Sequence, residues 1–458
     1  MPNHPKISRR EFLSQTGQTT AGMMLASALP AFAREAGKPR LKIATIGTVF
    51  AFRTHVHVHL ENMVEPYLFN GEWVSSGMEM AGLYLDQFPS HMPGRPDLKL
   101  AFTEKYKIPV YQTIAETLCL GGEKLAVDGV LLIGEHGDYP TNAKGQVEYP
   151  RKRFFDEIIA VFRRSGRVVP VFNDKHLSYR WDWAKEMYDT ARAMNIPFMA
   201  GSSLPLTQRR PPLELPPQAK VEEAVSVHGG PVESYDFHAF EALESIIEAR
   251  QGSETGIVCV QFLTGDALWK AAEEGRWSPD LAQAAVDAEP DARRPSAKDL
   301  IRSPQKGESG PPYVKHGILL KYRDGLRGVV LAAATDAIYP KRWHFACKLA
   351  GETGPRATSL YVGPWNNRNA FKALSHATQM FFRERRSPYS VERTLLASGV
   401  LDAAMESRFR GGELINTPHL AIAYEPRDFR ALREMGASWN IITEDIPEPK
   451  GIDLWRKP

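Results

Sequence analysis

The sequence has little cysteine, almost no net charge and no long apolar run. Its 458 residues include 3 cysteines, which permit one disulfide at most and exclude the cross-linked framework of small secreted domains. A formal charge of +3 excludes the concentrated basic surface of a nucleic-acid-binding protein. No stretch approaches the roughly 18 apolar residues that a membrane-spanning helix needs. With 43% hydrophobic residues, the chain is predicted to form two or three ordinary domains.

The first 33 residues have the pattern of an export signal. Arg9-Arg10 precedes a weakly apolar run over residues 21–28, and Ala31-Phe32-Ala33 is a small-x-small cleavage pattern. Cleavage after Ala33 would remove three basic residues and one acidic residue and leave 425 residues with a net charge of +1. We expect a twin-arginine signal over residues 1–33, recognised by the twin-arginine export machinery, and a periplasmic or otherwise exported protein. An amphipathic first helix is the alternative.

Residues 40–205 alternate between strand-like and helix-like segments. Thr113 and Glu116 form a capping box that opens one of the helices. The predicted strands cover residues 41–47, 81–86, 127–134, 168–172 and 197–200. Strands separated by helices of this length predict an α/β fold with a Rossmann-like, doubly wound parallel sheet.

The proline-rich segment 211–217 interrupts that alternation and is the best boundary between two domains. Beyond it, over residues 206–458, the strands lengthen, and residues 317–322 and 327–332 flank Asp324-Gly325, a tight-turn dipeptide. We predict an α+β domain with an open, largely antiparallel sheet, in which residues 278–313 form a long surface excursion.

Polar and glycine residues collect where the predicted parallel strands end, which is the edge at which doubly wound sheets bind ligands. The first turn keeps one glycine of the dinucleotide fingerprint and lacks the other two. Asp86 is placed to accept hydrogen bonds from a ribose diol. The candidate cofactor-binding residues are Gly47, Thr48, Val49, Asp86, Gly134, Glu135, His136 and Asp174.

Three segments carry a resemblance to a known superfamily. They are Phe-Asn-Asp-Lys-His-Leu-Ser at residues 172–178, Ala-Gly-Ser-Ser at 200–203 and Gly-Gly-Pro-Val-Glu-Ser-Tyr-Asp-Phe-His at 229–238. The chain resembles the glucose-fructose oxidoreductase/inositol dehydrogenase superfamily, with a late helix at 391–404 that is similar to its closing helix. The resemblance places Lys175 on the family's lysine and His238 on its catalytic histidine. Ser234 stands where the family has an acid, with Tyr235 and Asp236 as possible substitutes.

The resemblance implies an enzyme acting on a sugar, cyclitol or glycoside by hydride transfer at a hydroxyl carbon. Lys175 and His238 would handle the hydroxyl proton, and Tyr235 or Asp236 would orient the histidine. The implied cofactor is NAD or NADP, tightly bound and regenerated in place. A second substrate would regenerate it, or oxidation and re-reduction within one turnover would, as in nucleotide-dependent glycosidases of the superfamily. Residues 206–458 would bind substrate and form a homo-oligomer through the open sheet face.

Two other functions remain open. On a strand, His55, His57 and His59 would share one face and chelate zinc or a similar ion in a carbohydrate hydrolase or lyase; on a helix they would diverge and chelation would fail. A non-catalytic sugar-binding protein is the third possibility. Four tryptophans are candidates for stacking on sugar rings, namely Trp181, Trp183, Trp343 and Trp365.

Overall fold

The structure, a computed structural model, describes residues 40–87, 94–288, 314–333 and 343–452. The export pattern at Arg9 and Arg10 lies outside the described residues. No helix in these ranges is long and apolar enough to cross a lipid bilayer.

Five parallel strands form the first sheet. They are β1 (Lys42–Gly47), β4 (Glu79–Leu85), β5 (Gly129–Ile133), β6 (Val171–Asp174) and β7 (Phe198–Gly201), and a hairpin of β2 (Tyr67–Phe69) and β3 (Glu72–Val74) is inserted after β1. The order across the sheet is β4-β1-β5-β6-β7. Every residue of β5 is buried, because both faces of a doubly wound sheet are covered.

The helices of this half are α1 (His55–Val64), α2 (Lys99–Tyr106), α3 (Ile114–Cys119), α4 (Arg151–Ser165) and α5 (Trp181–Ala193). Helix α1 begins at His55 because Thr54 is its N-cap, with a side chain that accepts a hydrogen bond from the backbone N–H of His57. The predicted capping box of Thr113 and Glu116 opens α3 and is confirmed.

Eight strands form the second sheet. They are β8 (Gln208–Arg210), β9 (Val221–His228), β10 (Ile257–Leu263), β11 (Val314–Tyr322), β12 (Arg327–Ala333), β13 (Trp343–Leu349), β14 (Arg356–Tyr361) and β15 (Ile415–Asn416). Their order is β15-β10-β11-β12-β9-β13-β14-β8. Only the pair β9 and β12 is parallel among these neighbours. The predicted hairpin turns at Gly325, whose φ of +93° suits glycine. The predicted fold class is confirmed.

Helices cover both faces of the second sheet. On one face lie α6 (Ser234–Ile247) and α10 (Val391–Phe409); on the other lie α7 (Gly265–Glu273) and α8 (Pro279–Asp287). The expectation of a surface excursion is wrong for its first part, because Ser278 caps α8 and Leu281 packs on the sheet; residues 289–313 lie outside the described residues. The face suggested for oligomerisation is therefore partly covered by the chain's own helices.

The last two long helices join the halves of the molecule. In α10, the Ser398 hydroxyl accepts from the backbone N–H of Leu177 at 3.0 Å, and Asp402 accepts from that of Trp181 at 3.0 Å. Helix α9 (Asn367–Glu384) is tied to α1 by an ion pair between Arg368 and Glu61. These contacts hold the chain that follows β6 against α10, and they hold α1 against α9.

Candidate active site

A pocket of about 270 Å³ lies between the carboxyl edge of the first sheet and helices α6 and α9. Lys175, Glu135, His136 and His55 line it from the first half of the chain, and His238 lines it from α6. Ligand pockets in proteins usually hold about 300–1,000 Å³, so this cavity suits a molecule of monosaccharide size.

Lys175 projects from the loop that follows β6. Its backbone is left-handed, with φ +60°, a conformation that costs a non-glycine residue about 1 kcal/mol or more. The Asn173 amide supports the loop by donating to the backbone oxygen of His176 at 3.2 Å, and the backbone N–H of Lys175 donates to Gly201 at 3.2 Å. Backbone strain held in this way is typical of functional sites.

Glu135 links two cations at the base of the pocket. Its Oε1 lies 2.7 Å from Nζ of Lys175, and its Oε2 pairs with the Arg151 guanidinium. Burial raises the pKa of Glu135, but Lys175 and Arg151 outweigh that effect and hold it well below its usual range. Gly134 allows Arg151 to approach, since a Cβ there would lie 2.6 Å from Cγ of the arginine.

Two of the three pocket histidines, His136 and His238, are neutral at physiological pH. Burial, followed by the charge of Lys175, holds the pKa of His238 well below 6.5. Burial, followed by His55, lowers the pKa of His136 to about 3. Nδ1 of His238 lies 2.6 Å from the Ser202 hydroxyl, so Nε2 is the nitrogen available to a ligand.

The two candidates for orienting His238, Tyr235 and Asp236, have different surroundings. The Tyr235 ring lines the pocket and stacks on Trp343 with ring centres 5.2 Å apart. Asp236 faces away from His238, and its Oδ1 accepts hydrogen bonds from Nε2 of His228 at 2.9 Å and of His316 at 2.8 Å. The orienting role expected for Asp236 is wrong; the contact to His238 comes from Ser202.

The cluster of His228, Asp236 and His316 has the composition of a metal site. However, Nδ1 of His228 accepts a hydrogen bond from the backbone N–H of Gly230 at 3.2 Å. A neutral imidazole with an accepting Nδ1 carries its proton on Nε2, which leaves no lone pair on Nε2 for a metal. The cluster is therefore a hydrogen-bonded support beneath α6.

The three histidines of the metal alternative lie on helix α1, so the strand it required is absent. His55 and His59, one turn apart, both approach Asp174, at 2.5 and 3.5 Å. Nδ1 of His57 instead accepts from the backbone N–H of Arg53 at 3.0 Å. The chelate of His55, His57 and His59 is not formed, because neighbours at i and i+2 on a helix diverge.

The residues expected to hold a dinucleotide make contacts within the protein. Thr48 donates through Oγ1 to the backbone oxygen of Glu135 at 2.5 Å, and Val49 is fully buried. Asp86 accepts from the hydroxyls of Tyr84 and Tyr139, each at 2.8 Å, and pairs with Arg153. Gly47 serves packing, since a Cβ there would lie 2.6 Å from the Val56 side chain.

Segment 94–98, called the strap below, lies along the turn that would receive the pyrophosphate. The backbone N–H of Phe52 donates to Pro96 at 2.9 Å, and that of Leu98 donates to Phe50 at 3.1 Å. The next two N–H groups, of Arg53 and Thr54, also have protein acceptors. A dinucleotide-binding turn needs such groups free for phosphate, so these residues do not fit NAD or NADP.

Several site residues were not predicted from sequence. Arg151 and Ser202 reach the pocket residues only through tertiary contacts, and Arg95 lines the pocket from the strap. Only the segment 200–203, noted for its resemblance, pointed toward Ser202. Of the four tryptophans, Trp343 lines the pocket and Trp183 lines a separate surface groove, whereas Trp365 is buried and the Trp181 ring packs against Gly399.

The pocket thus lies where the carboxyl edge of the Rossmann-like sheet meets the α+β domain, which is the edge at which doubly wound sheets bind ligands. No protein-family profile matches this chain, and no curated protein matches it.

Solved structures do match. GenD2 from gentamicin A biosynthesis, in complex with NAD, has a TM-score of 0.51 at 11% identity over 83% of this chain and 97% of its own. Myo-inositol dehydrogenase from Lactobacillus casei, in complex with NAD(H) and myo-inositol, has a TM-score of 0.51 at 13% identity over 82% of this chain and 97% of its own. The fold that the resemblance implied is therefore confirmed.

Proposed function

We propose that this protein is an enzyme that acts on a sugar, cyclitol or glycoside by acid–base chemistry at a carbon–oxygen bond. The observation that supports this proposal most is that the Lys175 ammonium and the neutral His238 imidazole line the same pocket. The substrate class rests on the fold shared with a myo-inositol dehydrogenase.

The two groups have complementary roles. Lys175, held by Glu135 at 2.7 Å, can donate a proton to the oxygen that leaves carbon. His238, neutral at physiological pH, can take a proton from the neighbouring C–H in an elimination, or from water in a hydrolysis. One proton is donated and one is accepted, so either reaction balances without an electron acceptor.

Hydride transfer to NAD or NADP, expected from the sequence, is the competing mechanism. Because the first turn is occupied by the strap, no step is assigned to a nicotinamide. A requirement for added or co-purified nucleotide would restore the oxidoreductase function.

The test follows proton NMR spectra of myo-inositol, glucose, galactose, galacturonate and their methyl glycosides incubated with the purified protein in heavy water. We expect turnover or C–H exchange of at least one compound without added nucleotide. Lys175→Met and His238→Asn should each lower the rate about 100-fold or more. Lys185→Met, at an exposed lysine on α5, is the matched control. Turnover only with NAD or NADP, or full activity of both pocket variants, would refute the proposal.

We also propose that the protein acts outside the cytoplasm, on the strength of Arg9-Arg10 and the cleavage pattern at residues 31–33. Cell fractionation should find the protein in the periplasm, and replacing both arginines with lysine should retain it in the cytoplasm. If the natural protein and the lysine variant are divided equally between periplasm and cytoplasm, export by this route is refuted.

A further inference from the structure

We infer that the substrate carries a carboxylate and that Arg95, delivered by the strap, is the residue that binds it. The predicted class is therefore the sugar acids rather than neutral sugars or cyclitols. This inference rests on the proposed function, because it concerns the ligand of the same pocket.

The strap both pairs with the first turn and places Arg95 at the pocket. Its backbone pairs with the first turn through Pro96 and Leu98, and Asp97 forms a bridge with Ala51. The same pairing brings Arg95 to the pocket wall, where its guanidinium donates to the backbone oxygen of Arg53 at 3.3 Å. The segment that covers the expected phosphate-binding turn thus adds a positive charge to the pocket that Lys175 lines.

The positive charges at the pocket are not balanced by available carboxylates. Lys175 and Arg151 share Glu135. Asp174 is committed to His55 and His59. Glu233, which lies behind the pocket, has its pKa raised to about 7 by burial and is therefore partly protonated at neutral pH.

Arg95 has no carboxylate within ion-pair distance in the part of the chain that the structure describes. A half-buried guanidinium in a cavity of about 270 Å³ presents a planar pair of donors that matches a carboxylate. His136 and His238, which are neutral at physiological pH, add hydrogen-bonding groups without adding charge. The surplus charge is thus complementary to a small anion bearing hydroxyl groups.

The test measures binding by isothermal titration calorimetry with galacturonate, its methyl ester and galactose. We expect galacturonate to bind about 10-fold or more tightly than both neutral compounds, as hydrogen bonds between charged groups imply. Arg95→Gln should remove that preference while changing galactose affinity less than about 2-fold. Arg192→Gln, at an arginine with 68% of its side chain exposed, is the matched control and should retain it.

The outcomes separate this inference from the proposed function. Equal affinity for galacturonate and galactose, or a preference that survives Arg95→Gln, overturns the inference. If galactose binding still depends on Lys175, the proposed function stands in either case. If no compound of the sugar panel binds or reacts, the proposed function and this inference both fall. Glucose 6-phosphate binding more tightly than galacturonate would overturn the assignment to a carboxylate.

Discussion

Glu135→Gln is expected to lower the free energy of unfolding by about 3–5 kcal/mol, the usual cost of removing one member of a buried ion pair. The carboxylate is 5% exposed and is shared between Lys175 and Arg151. A glutamine of the same shape leaves both cations without a countercharge in a buried environment. Urea unfolding of the purified variant at neutral pH measures the loss.

The pH dependence of stability has a defined sign. The pKa of Glu135 lies well below its usual value of 4.5 in the folded protein. Its contribution is therefore fully present above about pH 5 and declines as the pH falls further. The difference in the free energy of unfolding between Glu135→Gln and the natural protein should therefore be smallest in acid. Glu157→Gln, at an exposed pair with Arg153, should change stability by less than about 0.5 kcal/mol. Equal losses of stability in Glu135→Gln and Glu157→Gln would contradict the role of Glu135 as the countercharge of Lys175 and Arg151.

Asp236→Asn is expected to destabilise the protein by about 3 kcal/mol or more. The carboxylate is fully buried and accepts from His228, His316 and the backbone N–H of Glu233, and hydrogen bonds to a charged group contribute about 1.5–3 kcal/mol each. An asparagine oxygen cannot replace a charge facing two imidazoles. Thermal and urea unfolding measure the effect.

Two controls test whether the cluster of His228, Asp236 and His316 is a hydrogen-bonded support or a metal site. Asp182→Asn, at an exposed aspartate on α5, should have little effect on stability. Chelation with EDTA and addition of zinc should leave the unfolding midpoint of the natural protein unchanged, because Nε2 of His228 is protonated. A rise in the midpoint with zinc would contradict the tautomer argument and favour a metal centre.

Much of the fold could be predicted because local patterns express it. The apolar segment at 127–134 became the buried strand β5, and the Thr113 capping box became the start of α3. Residues 278–287 looked like surface chain, yet α8 buries Leu281 and Ala285 on the sheet.

The candidate site was predicted less completely. Lys175 and His238 line the pocket, because their segments follow a strand end and begin a helix in a recognisable order. Asp236 was assigned to the wrong partner, because its neighbours His228 and His316 come from two separate strands. Arg95 left no sequence signal, since its position depends on how the strap pairs with residues 50–52.

By itself, the sequence determined the α/β class and the segments that carry the lysine and the histidine, because hydrophobic periodicity and capping act between residues close in the chain. Only the tertiary structure decided which charged groups form ion pairs and which backbone N–H groups of the first turn have acceptors within the protein. Glu135 lies 40 residues from Lys175, and the strap lies more than 40 residues from the first turn. Electrostatic pairing and the filling of a cleft depend on distances in space, and those exist only once the sheets have packed.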